Sequence, residues 1–129
     1  MRDIIKSMNL ELLRKTFKGD IENDNSVREK YSHDASLFEV VPEVVVFPKD
    51  GADVEAVVRF VSEEKKNNPN ISVTARSAGT DMSGGPLNES IILDTTRYLN
   101  KIVSVDEQKG IVEPGVFYRD FEMETLKIN

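Results

Sequence analysis

The sequence contains no cysteine and no tryptophan, and it has one histidine, His33. Without cysteine the chain can form no disulfide, no catalytic thiolate and no zinc–thiolate site. A single histidine cannot build a metal site from several imidazoles, and a serine–histidine–aspartate triad would have to use His33. We therefore predict no metal site, and we interpret His33 as a surface or loop residue.

Long hydrophobic runs are also missing. No apolar run approaches the ~20 residues that a membrane-spanning helix needs, and residues 1–17 mix charged with apolar side chains, unlike a signal peptide. The net charge of −6 argues against a nucleic-acid partner, which would call for a basic face. With 129 residues and 39% hydrophobic content, the chain fits one globular domain. We expect the protein to be cytoplasmic, and peripheral attachment to the inner face of the membrane remains an alternative.

The apolar spacing predicts alternating helices and strands. Residues 3–17 have helical spacing, and residues 43–48 form a valine-rich run that is typical of a buried strand. Next come four valines at the spacing of one helix face, and residues 71–75 read as another strand. Strand, helix and strand in this order predict a βαβ unit with parallel strands. The four valines are Val54, Val57, Val58 and Val61.

Further elements flank this unit. The runs 90–96, 100–106 and 110–116 are β-like, and the short break between the last two predicts an antiparallel hairpin. Residues 117–128 have a helical pattern. Upstream, residues 19–26 read as a polar break, after which Ser26 and Glu29 have the spacing of a helical capping box.

The stretch ARSAGTDMSGG (75–85) follows the second strand and is rich in small residues. It lacks the G-x-G-x-x-G spacing of a dinucleotide fingerprint, and Gly85-Pro86 stands where a Walker loop has Lys-Ser or Lys-Thr. Two interpretations remain open. The stretch is either a nest of backbone amides for a phosphate, supported by Arg76, Thr80 and Ser83, or a plain surface loop.

Several separated motifs together resemble a known family. They are YSHDASLFEVVPEVVVFP, the segment VVVFPKDGADVEAVVRF, the loop TARSAGTDMSGGP, and IILDTTRYLNKIVSVDEQKGIVEPGV. Over residues 22–126 the chain resembles the N-terminal part of the PCMH-type FAD-binding domain of FAD-linked oxidases, the vanillyl-alcohol-oxidase-type flavoproteins. It looks most similar to the branch of the glycolate oxidase subunit and D-lactate dehydrogenase.

The resemblance implies an α+β fold, in which a small parallel βαβ subdomain is followed by the start of a mixed or antiparallel sheet. Residues 1–38 would be a helical lead-in. Residues 39–129 would be the FAD-binding domain, truncated at its C-terminal end.

The resemblance also implies which residues lie at the cofactor. The loop would wrap the FAD pyrophosphate with backbone amides, Pro48 would lie near the cofactor, and a second turn would lie beside it. Thr80 stands where covalent members carry a histidine, so FAD would be bound non-covalently. The implied cofactor residues are Pro48, Arg76, Ser77, Ala78, Gly79, Thr80, Asp81, Ser83, Gly84, Pro114 and Gly115.

In function, the resemblance implies an FAD-dependent oxidoreductase that moves a hydride from a 2-hydroxy acid, similar to glycolate or D-lactate, to the flavin. No residue of this chain is predicted to be catalytic, and we expect the isolated chain to be inactive. Two alternatives stay open. One is a domain like that of UDP-N-acetylenolpyruvoylglucosamine reductase. The other is a non-catalytic fragment or subunit that self-associates or binds a partner chain through the truncated edge.

Some residues raise specific structural questions. The family often has glycine where Ser77 and Ala78 stand, so a positive φ there would be strained. Asp81 would repel a pyrophosphate unless its carboxylate pointed outward or capped a backbone amide. We interpret Tyr31 and Phe38 as core residues. Three further polar residues are interpreted as turn caps, namely Asp34, Ser36 and Asp94.

Overall fold

The computed structural model describes residues 8–128, which form two sheets and four helices. The helices are α1 (Leu10–Arg14), α2 (Asn25–Lys30), α3 (Gly51–Glu64) and α4 (Tyr118–Thr125). The strands are β1 (Asp20–Glu22), β2 (Val44–Phe47), β3 (Val73–Arg76), β4 (Ile91–Asp94), β5 (Ile102–Val105) and β6 (Gly110–Val112).

The larger sheet has the strand order β1-β2-β4-β3. Strands β2 and β3 both run parallel to β4, and β1 pairs antiparallel with β2 at the edge. The predicted α+β fold and the parallel strands are confirmed. One placement differs, because β4 lies between the two strands of the βαβ unit, so that β2 and β3 are not neighbours. β2 and β4 are buried along their whole length, which fits their continuous apolar sequences.

The two faces of this sheet bury different side chains. Val44, Val46, Ile91 and Leu93 pack in one cluster with residues of α1 and α3. Val45, Phe47 and Ile92 face the other way and pack with Tyr31, whose predicted core position is confirmed. Because side chains alternate along a strand, each apolar run covers both faces of the sheet.

Helix α3 corrects one detail of the valine pattern. Val57 and Val61 are buried, but Val58 is 53% exposed, so it does not lie on the buried face as predicted. Phe60 is buried in its place. The buried stripe of the helix is rotated relative to the valine pattern, because Asp53 and Phe60 extend it on the side away from Val58.

The N-terminal region departs from the prediction in two places. The polar segment 19–26 contains β1, an edge strand that pairs with β2 and whose Asp20 and Glu22 carboxylates form ion pairs with Arg97, so it forms without an apolar run. Helix α2 is capped by Asp24, whose carboxylate accepts from the amide of Val27 at 3.2 Å, so Ser26 is not the N-cap. Of the helix predicted over residues 3–17, the described residues show only the part Leu10–Arg14 as helix (α1). Met8 precedes it without being helical, and Ile4 and Ile5 lie outside the described residues.

The second sheet is the predicted antiparallel hairpin of β5 and β6. All three residues of β6 are exposed, and α4 buries no side chain. In the part of the chain that the structure describes, no helix combines the length and the apolar character that crossing a membrane requires.

Candidate functional site

The candidate site lies at the carboxyl edge of the parallel strands. Arg76 at the end of β3 is level with Asp94 at the end of β4, and Pro48 directly follows β2. The amide of Thr95 donates to the carbonyl of Arg76 at 3.0 Å, which joins two of these strand ends. Ligands of open parallel sheets bind at this edge, where the loops after the strands converge.

The glycine loop, residues 77–85, starts with four consecutive amides that donate to none of the described residues. In residues 8–128, no acceptor is found for the backbone N–H groups of Ser77, Ala78, Gly79 and Thr80. These residues line an open depression of about 430 Å³ together with Ala75, Asp81, Gly85 and Pro86. Successive free amides in a loop of small residues form the kind of concavity that binds anions.

Two glycines set the path of this loop. Gly79 has φ 69° and Gly84 has φ 85°, values that side chains rarely adopt. A Cβ at Gly84 would also lie 3.0 Å from the ring of Phe38. Ser77 and Ala78 have negative φ angles, since positive φ is confined to glycine among the described residues. The replacement of glycine at these two positions therefore causes no backbone strain.

Asp81 turns its carboxylate onto its own loop. Oδ1 accepts from the amide of Ser83 at 2.6 Å, from the hydroxyl of Ser83 at 2.7 Å and from the amide of Gly85 at 3.2 Å. The Ser83 hydroxyl, followed by these amides, holds the pKa of Asp81 below its ordinary value. The carboxylate is thus ionised at neutral pH and stabilises the second half of the loop. It caps backbone amides, which is one of the two arrangements that would keep its charge from repelling a pyrophosphate.

Arg76 faces the segment before β2. Its Nη2 donates to the carbonyl of His33 at 2.8 Å and its Nη1 to the carbonyl of Tyr31 at 3.5 Å. The guanidinium carbon lies 5.2 Å from the centre of the Tyr31 ring, within the range of a cation–π contact. The imidazole of His33 is exposed, with Nε2 at 3.7 Å from a carboxylate oxygen of Glu39.

Residues 31–40, here called the bracing segment, pack along the glycine loop. The amide of Ala35 donates to the carbonyl of Asp81 at 3.0 Å. The Ser36 amide donates to the Asp34 carboxylate at 2.8 Å, which confirms the predicted turn cap. The prediction of Phe38 as a core residue is wrong, because its side chain is 58% exposed and covers Gly84 from outside.

Tyr31 joins this segment to the sheet. Its hydroxyl donates to Oδ2 of Asp94 at 2.9 Å, and burial, followed by the charge of Asp94, raises the pKa of the phenol well above its ordinary value. The other oxygen of Asp94 accepts from the amide of Thr96 at 2.7 Å, which confirms its predicted capping role. Sequence reasoning missed the bond between Tyr31 and Asp94, since 63 residues separate them and no local pattern connects them.

The second predicted turn is tied to the same edge. Gly115 is buried, and its amide donates to the carbonyl of Leu99 at 2.7 Å. A Cβ at this glycine would lie 2.7 Å from that carbonyl oxygen and would overlap the carbonyl of Thr95. Because Thr95 also bonds to Arg76, a short path of contacts links Gly115 to the start of the glycine loop. Pro114 is exposed beside it, and Pro48 is buried under the end of β2.

The charged groups among the described residues at this edge form no metal cage. The described residues contain no group of three or more His, Asp or Glu side chains that could hold a metal ion. The free amides, together with the guanidinium of Arg76, favour an anionic ligand. The geometry thus makes this loop, at the carboxyl edge of an α+β domain, a candidate anion site.

Comparison with protein families matches residues 42–127 to the FAD binding domain family. The match covers the three parallel strands of the larger sheet, the glycine loop and the hairpin, so the chain belongs to this family. The class of protein is therefore an FAD-binding domain with an α+β fold.

Curated relatives extend this result. D-2-hydroxyglutarate dehydrogenase of Escherichia coli (strain K12) is 34% identical over 108 residues, which are 82% of this chain and 10% of that protein. The enzyme of the same name from Pseudomonas putida is 32% identical over 109 residues, 82% of this chain and 11% of that protein. The chain therefore spans about a tenth of the length of the curated relatives that it matches.

Solved structures show the same fold. p-Cresol methylhydroxylase superposes with a TM-score of 0.72 at 21% identity, and alkyldihydroxyacetonephosphate synthase with a TM-score of 0.70 at 20% identity. In both cases the match covers 92% of this chain and 24% of the other.

Proposed function

We propose that this chain holds the pyrophosphate of FAD and is the first part of the cofactor domain of an FAD-dependent oxidoreductase. The run of four free amides from Ser77 to Thr80 carries this proposal. They lie around a left-handed glycine at the carboxyl edge of a parallel sheet, where the strand ends leave an open depression. Membership of the FAD binding domain family supports FAD as the anion that binds there.

The residues divide into two groups by what they do. Ser77, Ala78, Gly79 and Thr80 would donate amides to the phosphates, and the hydroxyl of Thr80 adds a further donor. The remaining positions shape the surroundings of these donors. Gly84 allows the loop to turn, Asp81 and Ser83 brace it, and three residues border the edge, namely Pro48, Pro114 and Gly115.

We propose non-covalent binding, because threonine at position 80 has no imidazole to bond to the flavin. When bound, FAD supplies the hydride acceptor of the reaction. This chain would orient the cofactor through its phosphates. We assign no proton transfer to any of its side chains, so we expect the chain alone to be inactive.

We propose a 2-hydroxy acid as the substrate of the whole protein. The curated relatives are named D-2-hydroxyglutarate dehydrogenase, and glycolate and D-lactate belong to the same chemical class. These names favour a hydroxy acid over the alternative of a UDP-N-acetylenolpyruvoylglucosamine reductase-like domain.

A titration of the purified chain with FAD tests the proposed site. We expect saturable quenching of flavin fluorescence and a rise in the midpoint of thermal unfolding. At 100 times the dissociation constant, binding should stabilise the fold by about 2.7 kcal/mol. Gly79→Val should abolish binding, because its side chain would meet Arg76 and require a positive φ.

Met82→Ala is the matched control, since Met82 lies in the same loop with an exposed side chain that has no role in the proposed site. It should bind FAD like the wild-type chain. Equal binding by Gly79→Val, or a folded wild-type chain that binds no FAD, would contradict the proposal.

A second candidate function is association with another chain through the hairpin of β5 and β6 and helix α4. Exposed apolar side chains on both elements favour it, among them Val103, Ile111, Met123 and Leu126. Sedimentation velocity from about 5 to 500 µM tests for self-association, since a weak dimer dissociates in the micromolar range. A mass that stays monomeric over this range would argue against self-association.

A further inference from the structure

The guanidinium of Arg76 is held by the bracing segment. It donates to two backbone carbonyls of that segment, those of Tyr31 and His33, and stacks over the Tyr31 ring. A planar group with donors on two sides can make these three contacts at once, whereas an ammonium group cannot stack and bridge in this way.

The same guanidinium lies directly against the glycine loop. A Cβ built on Gly79 would come within 2.7 Å of Cζ and 2.8 Å of Nε of Arg76. The backbone of Gly79 therefore lies against Arg76, and its φ of 69° is one that side chains rarely adopt. The side chain of Arg76 thus packs against Gly79, one of the four proposed amide donors.

The support for Arg76 continues down to the sheet. Tyr31 is fixed by its bond to Asp94 and by an edge-on contact with Phe47, with ring centres 5.9 Å apart. Asp94 is 3% exposed and belongs to β4, which is buried throughout. A continuous set of contacts therefore leads from the central strand through Tyr31 and Arg76 to Gly79.

We propose that Arg76 is a positioning residue of the cofactor site, which holds the amides of residues 77–80 in place and does not bind the phosphates itself. This inference rests on the proposed function, in that FAD is the ligand whose binding depends on the amides. It assigns the arginine a role that depends on the shape of its guanidinium. A direct phosphate ligand would depend mainly on its charge.

Two substitutions separate shape from charge. Arg76→Lys keeps the positive charge but loses the planar guanidinium that stacks on Tyr31 and bonds to two carbonyls. Arg76→Gln loses the charge as well as the guanidinium. If Arg76 positions the loop, both variants should weaken FAD binding to the same extent, about tenfold or more, as expected for a lost hydrogen bond from a charged donor. Arg59→Lys is the control, because Arg59 lies exposed on α3 and forms its ion pair with Glu55, away from the glycine loop.

A lysine variant with wild-type affinity, beside a glutamine variant that has lost it, would show that charge alone is needed and would overturn the proposal. The thermal midpoint of each variant confirms that it is folded before its affinity is compared.

Hydrogen exchange tests the same inference without FAD. The amide of Ala35 donates to the carbonyl of Asp81, so its protection reports whether the glycine loop stays on the bracing segment. We expect this amide to exchange faster in Arg76→Lys and Arg76→Gln, and the amides of the buried strand β4 to exchange unchanged. Unchanged exchange at Ala35 in both variants would overturn the positioning role.

The two readouts separate this inference from the proposed function. If the wild-type chain binds no FAD, the proposed function fails. Exchange at Ala35 then still decides whether Arg76 positions the loop.

Discussion

The two sheets of this chain are stabilised to very different degrees. In the four-stranded sheet, β2 and β4 are buried at every position and the glycine loop follows directly from its edge. In the hairpin, every residue of β6 is exposed and α4 buries no side chain. The first sheet has apolar partners on both faces, whereas the hairpin presents apolar side chains to the surface.

This difference separates the part of the chain that carries the proposed cofactor site from the part that carries the proposed contact surface. The loop amides need a rigid base, because their positions relative to one another decide whether they converge on one anion. The hairpin needs no such rigidity. Its connection to the first sheet runs through the turn at Gly115 and the carbonyls after β4.

The largest expected effect comes from one substitution made in each sheet. Ile92→Ala in β4 removes a side chain that is fully buried and should destabilise the fold by about 2–5 kcal/mol. Ile111→Ala in β6 removes one that is 48% exposed and should change stability by less than about 0.5 kcal/mol. Chemical denaturation measures both. Similar losses in the two variants would show that the sheets are equally well packed.

A second test addresses the connection between the two regions. Gly115→Ala places a methyl group against two backbone carbonyls and should cost about 1–3 kcal/mol. Gly51→Ala is the matched control, since nothing lies within 4 Å of its Cβ position at the start of α3, and it should be neutral or slightly stabilising. Thermal unfolding of both variants checks this, and a harmless Gly115→Ala would mean that the turn is loosely held.

The smallest effect concerns a polar contact at the edge of the first sheet. The hydroxyl of Tyr98 donates to a carboxylate oxygen of Asp20 at 2.6 Å and is the main cause of the lowered pKa of Asp20, ahead of Arg97. Tyr98→Phe should lower the stability at neutral pH by less than Gly115→Ala does, since the site is partly exposed. Tyr118→Phe in α4 is the control, because its ring is exposed and the described structure shows no bond to its hydroxyl.

The pH dependence of this effect has a defined sign. A carboxylate whose pKa is lowered by folding adds stability above its unfolded pKa, which is about 4 for aspartate, and this stability is lost as the pH falls through the folded pKa. The difference between Tyr98→Phe and the wild-type chain should therefore be constant above about pH 5 and shrink toward pH 3. A difference that grows in acid would contradict this assignment.

Local patterns predicted much of the fold. The runs 43–48, 71–75 and 90–96 appear as three parallel strands within one or two residues, and the hairpin and α3 also lie where they were expected. The prediction failed where a partner element decides the outcome. β1 has a polar sequence and exists through pairing with β2, and Val58 is exposed because the sheet lies on the other side of its helix.

The candidate site divides in the same way. Small residues after a strand left two interpretations open, an amide nest and a plain surface loop, and the free amides from Ser77 to Thr80 favour the nest. The orientation of Asp81 and of Arg76 could not be predicted, because each depends on atoms that only the folded chain brings near. For Arg76 these atoms belong to Tyr31 and His33, which lie 45 and 43 positions earlier in the sequence.

The sequence by itself determined which chemistry is possible here. It supplies a loop of small residues that frees backbone amides, and it lacks the cysteines and multiple histidines of thiol and metal sites. Only the tertiary structure decided that β4 lies between β2 and β3 and that Tyr31, Arg76 and Asp94 meet beneath the loop. The physical reason is one of range. Backbone conformation follows from neighbouring residues, whereas hydrogen bonds and packing between distant segments exist only once the strands have assembled.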